Sequence, residues 1–381
     1  MRRKRFSWGS LFWSAVQIAI GGVILLQVAH WRLESTAGTG GPAGQPTVDL
    51  LAFAERTIPA TYTPRVLTTI VPGATFFATP AATSTLPPDA EVPQAEPPAT
   101  PTPTPFDVPD YLKQSVAVHS LNEPPATTDC GEHGFVYAGE YPSAIWGAGR
   151  DYHAYLPPCY GHDGRAYPVL YMIHGSGHND DMYIHLGLPQ HIDQGILEGR
   201  YAPFIVIMPD SGSWGDATSG GERSVEGVTI QDLIPWVDSH FCSWNAAAGR
   251  SIGGISRGGY WALMMAFRHP ELFASVSGHS SHLRLETDPP LFNPLATYLT
   301  VDLSQMRIWM DWGDRDFLRE GQQLLHESLM NAGIAHRVKI AAGGHANYYW
   351  FEHMREYIDW HAESWPLARE AYPPCAPTVA Q

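Results

Sequence analysis

The chain has 381 residues, of which 44% are hydrophobic, 12% aromatic and 16% charged. That composition can bury a sizeable core and excludes disorder over the whole length. The formal net charge of −15 argues against a nucleic-acid-binding role, which needs a basic face. The charge divides unevenly, at about +4 over residues 1–35, −4 over 36–108 and −15 over 109–381, so a globular function is expected in the acidic C-terminal part.

Residues 1–35 read as a targeting segment. Arg2, Arg3, Lys4 and Arg5 precede a stretch from Trp8 to Trp31 without a charged residue, centred on Ala15-Val-Gln-Ile-Ala-Ile-Gly-Gly-Val-Ile-Leu-Leu. Roughly twenty such residues cross the hydrocarbon core as a helix. A basic flank stays cytoplasmic, so a single-pass signal anchor is expected, with the rest of the chain outside the cytoplasm at the cell membrane. The competing reading is a cleaved signal peptide and a secreted product. The apolar run is long and no clear Ala-x-Ala site follows it, which favours the anchor.

Residues 36–108 are dominated by Pro, Thr, Ala and Gly and end in Ala99-Thr-Pro-Thr-Pro-Thr-Pro. Such a segment buries too little apolar surface to offset its ordering entropy. It reads as a disordered, partly polyproline stalk. Four cysteines, Cys130, Cys159, Cys242 and Cys375, all lie beyond it. An even count outside the cytoplasm favours disulfides, with three connectivities open.

From 109 to 381 the pattern alternates. Short apolar runs at 168–174, 203–209, 251–255, 274–277, 307–310 and 338–341 read as strands buried on both faces. Helical patterns run over 230–241, 258–268, 318–331 and 348–360, and residues 135–157 can supply antiparallel edge strands. This alternation predicts a mainly parallel sheet covered by helices on both faces, with ligands beyond the carboxyl ends of its strands.

The chemistry converges on Gly254-Ile-Ser256-Arg-Gly258. A G-x-S-x-G pattern alone is weak in a glycine-rich chain, but here it follows a strand and opens a helix. A serine on that turn takes a strained backbone, and glycines two before and two after leave room for it. The bland alternative is a helix N-cap serine. A serine hydroxyl needs a base to become a nucleophile, and the expected chain order is serine, acid, histidine. His345, in Gly343-Gly-His-Ala-Asn, sits after the last strand and before the last helix and suits the base. For the acid, Asp311, Asp314 and Asp316 all appear on the loop after the fifth strand. The reach from the strand end favours Asp316, with Asp314 the alternative. The acid orients the imidazole and stabilises its charged form. Oxyanion donors are expected from the backbone N–H groups of Arg257 and Ser176, with Gly175 the alternative to Ser176.

His174, His178, His185 and His191 are spaced enough like ligands to raise a metal site, but no metal-binding motif accompanies them. No metal and no cofactor are expected. Trp214, Trp312 and Tyr348-Tyr-Trp350 suit a sugar-binding pocket or, more often for such residues, core packing. His174 is read as structural, and Gly278-His-Ser-Ser-His282 as bordering the cleft without an assigned role.

Tyr167-Pro-Val-Leu-Tyr-Met-Ile-His-Gly, Asp232-Leu-Ile-Pro-Trp-Val-Asp and Arg250-Ser-Ile-Gly-Gly-Ile-Ser-Arg-Gly-Gly-Tyr together resemble the esterase D-type branch of the α/β-hydrolases. That group includes feruloyl and acetyl xylan esterases, enterochelin esterase-like proteins, S-formylglutathione hydrolases and mycolyltransferases. The resemblance covers roughly residues 135–365 and implies an α/β-hydrolase fold. It implies a serine nucleophile at Ser256, an acid at Asp316 after Gly313, and a histidine at His345. His178 stands where the family often carries a second glycine in its His-Gly-x-Gly-Gly loop. The expected activity is hydrolysis of a small-molecule or polysaccharide-linked ester through an acyl-enzyme. The rivals are acyl transfer of the mycolyltransferase type to a cell-envelope sugar, and a non-catalytic carbohydrate-binding protein on a hydrolase fold.

Overall fold

The computed structural model describes residues 108–284 and 288–375. The expected membrane span and the stalk up to residue 107 lie outside the described residues. Among those residues no helix is long and apolar enough to cross a membrane.

Nine strands form one sheet: β1 (Val118–Ser120), β2 (Phe135–Ser143), β3 (Ala148–Leu156), β4 (Val169–Ile173), β5 (Ile205–Pro209), β6 (Arg250–Ile255), β7 (Ser275–His279), β8 (Arg307–Gly313) and β9 (Arg337–Ala341). Their spatial order is β1-β2-β3-β5-β4-β6-β7-β8-β9. From β5 to β9 every pairing is parallel, while β3 is antiparallel to both β2 and β5. The short apolar runs thus become central strands, and the 135–157 segment forms the antiparallel hairpin at one side.

Alternate residues of the central strands feed opposite faces. Val169, Tyr171 and Ile173 of β4 join one apolar cluster, and Leu170 and Met172 join the other. The first cluster is closed by α2 (Ile234–His240), α3 (Arg257–Arg268) and α4 (Arg319–Asn331), the second by α1 (Leu188–Leu197) and α5 (Asn347–Ala362). α3 is buried from Arg257 through Phe267, which explains a helix that is apolar nearly all round. Each large apolar side chain sunk here contributes on the order of 1.5–3 kcal/mol.

One expected helix is refined, one helix is added and one placement is corrected. The helix expected over 230–241 is wound as a π-helix over Val228–Leu233 before α2 begins. Pro235 has no amide hydrogen to carry an α-helical ladder through this point. α1 carries no clear helical signal in the sequence, because its Pro189, Gln190, Asp193 and Gly195 mask its apolar face. β8 runs on to Gly313, so Asp311 lies inside a strand and not on the loop after it.

The cysteines pair as Cys130–Cys159 and Cys242–Cys375. The second bond joins residues 133 apart in sequence, and Cys375 N–H donates to the Gly164 carbonyl at 2.8 Å.

Candidate active site

Ser256 directly follows β6 and immediately precedes α3, with φ 57° and ψ −118°. A positive φ is costly for a side chain bearing a Cβ, so this conformation is held by its surroundings. Ser256 N–H donates to the His279 carbonyl at 2.8 Å, and the Ser256 carbonyl accepts from Tyr260 N–H at 3.1 Å and His282 N–H at 2.9 Å. The flanking glycines make the turn sterically feasible. A Cβ at Gly254 would lie 2.3 Å from the Gly258 carbonyl carbon, and one at Gly258 would lie 1.9 Å from the Ile173 carbonyl oxygen.

His345 Nε2 lies 2.9 Å from Ser256 Oγ. On the other side of the ring, Nδ1 lies 3.1 Å from each carboxylate oxygen of Asp316. Asp316 is fully buried, while the His345 side chain retains 11% exposure. The aspartate is further fixed by the Leu318 N–H, which donates to its Oδ1 at 2.8 Å. The acid and histidine loops are bonded to each other, Asp314 N–H to the Ala341 carbonyl and Arg315 N–H to the Gly343 carbonyl, both at 2.8 Å.

The three candidate aspartates have separate fates. Asp314 is half exposed and accepts from Gly343 N–H at 2.9 Å, so it braces the histidine loop. Asp311 is sealed beneath the site. It pairs through a very short contact with His279 Nδ1 and accepts from the hydroxyls of Tyr349 and Tyr357 at 3.0 Å each. Only Asp316 reaches His345 among the three.

The turn after β4 closes with His178 N–H on the Gly175 carbonyl at 3.2 Å. It lies against the nucleophile, since a Cβ at Gly175 would stand 3.2 Å from Ser256 Cβ. Ser176 follows on the exposed side of this turn. Arg257 opens α3, where backbone N–H groups have no intrahelical acceptor. Its guanidinium is drawn away from the serine, with Nε donating to the Gly215 carbonyl at 3.2 Å, Nη2 to the Thr218 carbonyl, and the plane lying over Tyr260 and Trp261. What Arg257 offers at the serine is its amide. His174 is a brace, with Nε2 accepting from Ser211 N–H at 2.9 Å.

Two further imidazoles border the triad. Burial first, then the neighbouring His174, pushes His178 down to about 4. Burial first, then Arg284 and Arg257, pushes His282 down to about 4. In both cases a positive charge would also oppose one on His345, so both are neutral at pH 7.

The sequence places His282 at the border of the cleft and His178 in the turn after β4, but nothing local brings either to His345. Phe317 carries no local signal beyond its place directly after the preferred acid. Of the aromatic residues weighed for a pocket, Trp312, Tyr349 and Trp350 are buried, while Tyr348 remains exposed. Trp214 is partly buried and packs edge-on to Trp146. Among the described residues no three His, Cys, Asp or Glu side chains are grouped to hold a metal ion. A serine, an imidazole and a carboxylate in this relay can carry out proton-assisted nucleophilic attack at an acyl carbon.

Comparison with known proteins points the same way. The sequence model of the esterase family, described as "Putative esterase", matches residues 143–363. The esterase Rv1288 of Mycobacterium tuberculosis (strain H37Rv) is 28% identical over 239 residues, which is 50% of this chain and 51% of that protein. An endo-1,4-β-xylanase/feruloyl esterase of Xylanibacter ruminicola is 32% identical over 153 residues, 37% of this chain and 21% of the relative. The chain thus spans about half the length, or less, of the curated relatives it matches. Among solved structures, a ferulic acid esterase superposes with a TM-score of 0.56 at 20% identity, covering 61% of this chain and 98% of its own. An S-formylglutathione hydrolase from Staphylococcus aureus superposes with a TM-score of 0.53 at 16% identity, covering 60% and 99%. At such identities these structures speak to the fold, an α/β-hydrolase-like arrangement.

Proposed function

The chain belongs to the esterase family, and on that premise we propose that its globular part is a serine hydrolase of carboxylic esters acting through Ser256, His345 and Asp316. The observation that carries this reading is the continuous relay from Ser256 Oγ through both ring nitrogens of His345 to the buried carboxylate of Asp316. In the first half-reaction Ser256 Oγ attacks the ester carbonyl while His345 Nε2 takes its proton, and the same proton then goes to the departing alcohol. Water attacks the acyl-enzyme in the second half, again with His345 as base and then as acid. Asp316 holds the imidazole tautomer with Nδ1 protonated and Nε2 free. The amides of Arg257 and Ser176 stabilise the oxyanion, a contribution of about 10²–10³ in kcat per donor. The name of the xylanase/feruloyl esterase relative supports carbohydrate-linked acyl groups as substrates.

The test is fluorophosphonate labelling of the full-length protein with the adduct mapped by mass spectrometry. An adduct on Ser256, absent in Ser256→Ala and lost or greatly slowed in His345→Ala, is expected together with ester hydrolysis. A folded wild-type protein that neither labels nor hydrolyses any ester would overturn the proposal.

We further propose that this domain is exported on a membrane anchor at residues 8–31. Support comes from the basic flank Arg2–Arg5 and from two disulfides, which suit an oxidising compartment. Protease added to intact cells should digest the domain, and full protection would count against export.

A further inference from the structure

The proton that His345 Nε2 delivers goes to the oxygen of the departing alcohol, so that oxygen must come within hydrogen-bond reach of Nε2. The alcohol's carbon frame then extends over whatever flanks the imidazole. Among the described residues two aromatic rings pack on it. Trp350 stands edge-on at 5.0 Å between centroids, is only 4% exposed, and donates its Nε1–H to Ser280 Oγ at 3.0 Å. It is part of the wall behind the histidine. Phe317 lies on the ring at 4.6 Å and 53°, and it is 64% exposed. Singly exposed apolar residues are common and need no function, so exposure alone argues nothing. The position argues more, because this ring adjoins the acid in sequence and the proton donor in space.

We propose that Phe317 is a specificity-determining residue for the alcohol half of the ester, offering a flat apolar platform to an alcohol that presents a flat apolar face of its own. An aryl ring and the less polar face of a pyranose share that chemistry. The inference rests on the esterase reading above and adds to it a substrate class on one side of the scissile bond. Covering an exposed phenyl ring with such a face removes apolar area from water, and the loss of that contact is worth about tenfold in kcat/KM.

The experiment compares acetates of methanol, benzyl alcohol and the 6-hydroxyl of methyl glucoside, with wild type, Phe317→Ala and Phe317→Trp as full-length proteins. A second series holds methanol constant and lengthens the acyl group. The expected result is a fall of about tenfold in the kcat/KM ratio of a ring-bearing acetate over methyl acetate in Phe317→Ala. Phe317→Trp should restore that ratio, and the acyl-length preference should be the same in all three proteins. Loss with the benzyl ester alone identifies an aryl alcohol, and loss with the glucoside alone identifies a sugar. An unchanged ratio, an equal loss on methyl acetate, or a shift in acyl preference instead would overturn the proposal. Fluorophosphonate labelling separates the two levels. An adduct on Ser256 with an unchanged ratio removes only the role of Phe317, whereas a folded wild type without an adduct removes the esterase reading and this inference with it.

Discussion

Among the described residues two serine–histidine–aspartate relays can be compared, one open and one sealed. In the open array Ser256, His345 and Asp316 are linked at 2.9 and 3.1 Å. In the sealed array Ser277 Oγ lies 2.8 Å from His279 Nε2, and His279 Nδ1 makes a very short contact with Asp311. The residue types and their hydrogen-bond order are the same, yet Ser277, His279 and Asp311 are each 0% exposed. The backbone separates the arrays further. Ser277 sits in mid-strand, in register with Gly253 on one side and Trp309 on the other, so its neighbouring amides belong to the sheet ladder. Ser256 sits beyond a strand end with a helix N-terminus directly after it, where the first amides have no intrahelical acceptor and can meet an oxyanion. Ser277 Oγ also lies 2.8 Å from His361 Nε2, and His361 Nδ1 lies 2.6 Å from Ser251 Oγ, so its hydroxyl is committed to a buried network. A triad of the right residues is therefore not a site until access and amide donors are supplied with it.

The sealed array nevertheless supports the open one. The His279 carbonyl receives Ser256 N–H, and the Asp311 carbonyl receives Ser280 N–H at 2.8 Å. Ser280 in turn accepts from Trp350, which backs His345.

The largest expected effect tests the division of labour between the two aspartates. Asp316→Asn should lower kcat on the order of 10⁴-fold, about 5.5 kcal/mol, because the tautomer of His345 is no longer fixed. Asp311→Asn should act on stability instead. Its carboxylate accepts from the two tyrosine hydroxyls and faces His279, and an amide turns one acceptor into two donors. Breaking such a buried arrangement costs about 3–5 kcal/mol, read as a lower midpoint in urea. Below that midpoint Ser256 should still label with fluorophosphonate. Loss of labelling in a folded Asp311→Asn protein would erase the distinction between the arrays.

Ser277→Ala should cost about 1–3 kcal/mol, since two buried ring nitrogens lose a partner, and it should leave the labelling of Ser256 intact. A smaller effect is the pH dependence of the sealed side. Burial, then the charge that His279 would carry, holds His361 well below its ordinary value of 6.5. The unfolded chain binds this proton near pH 6.5 and the folded chain does not, so the contribution of His361 to stability is complete above that pH and is lost progressively below it. Stability should fall as the pH drops from 6.5. His361→Gln should reduce the slope by about 1.4 kcal/mol per pH unit, one proton's worth, as measured by urea titrations between pH 5 and 6.5. An unchanged slope would mean that the sealed array admits a proton.

Much of the architecture was legible because it depends on local chemistry. Apolar runs such as Val169–Ile173 and Ile205–Pro209, bounded by proline, glycine and polar residues, have few alternatives to being strands buried on both faces. Gly254 and Gly258 around Ser256 mark a turn whose steric needs can be read from the residues themselves. The esterase relationship was likewise carried by these contiguous motifs.

What only the tertiary structure decided is how distant segments meet. Asp311, Asp314 and Asp316 lie within six residues of one another, and nothing in that stretch states that β8 would continue to Gly313 and turn Asp311 inward. The pairing of Cys242 with Cys375 joins residues 133 apart, and the packing of Phe317 on His345 depends on where the loops after β8 and β9 come to rest. Sequence determines periodicity, turn chemistry and the residues available for a reaction, because these arise over a few bonds. Access, burial and partner choice arise from the sum of long-range packing, and for this chain that sum separates an open relay at Ser256 from a sealed one at Ser277.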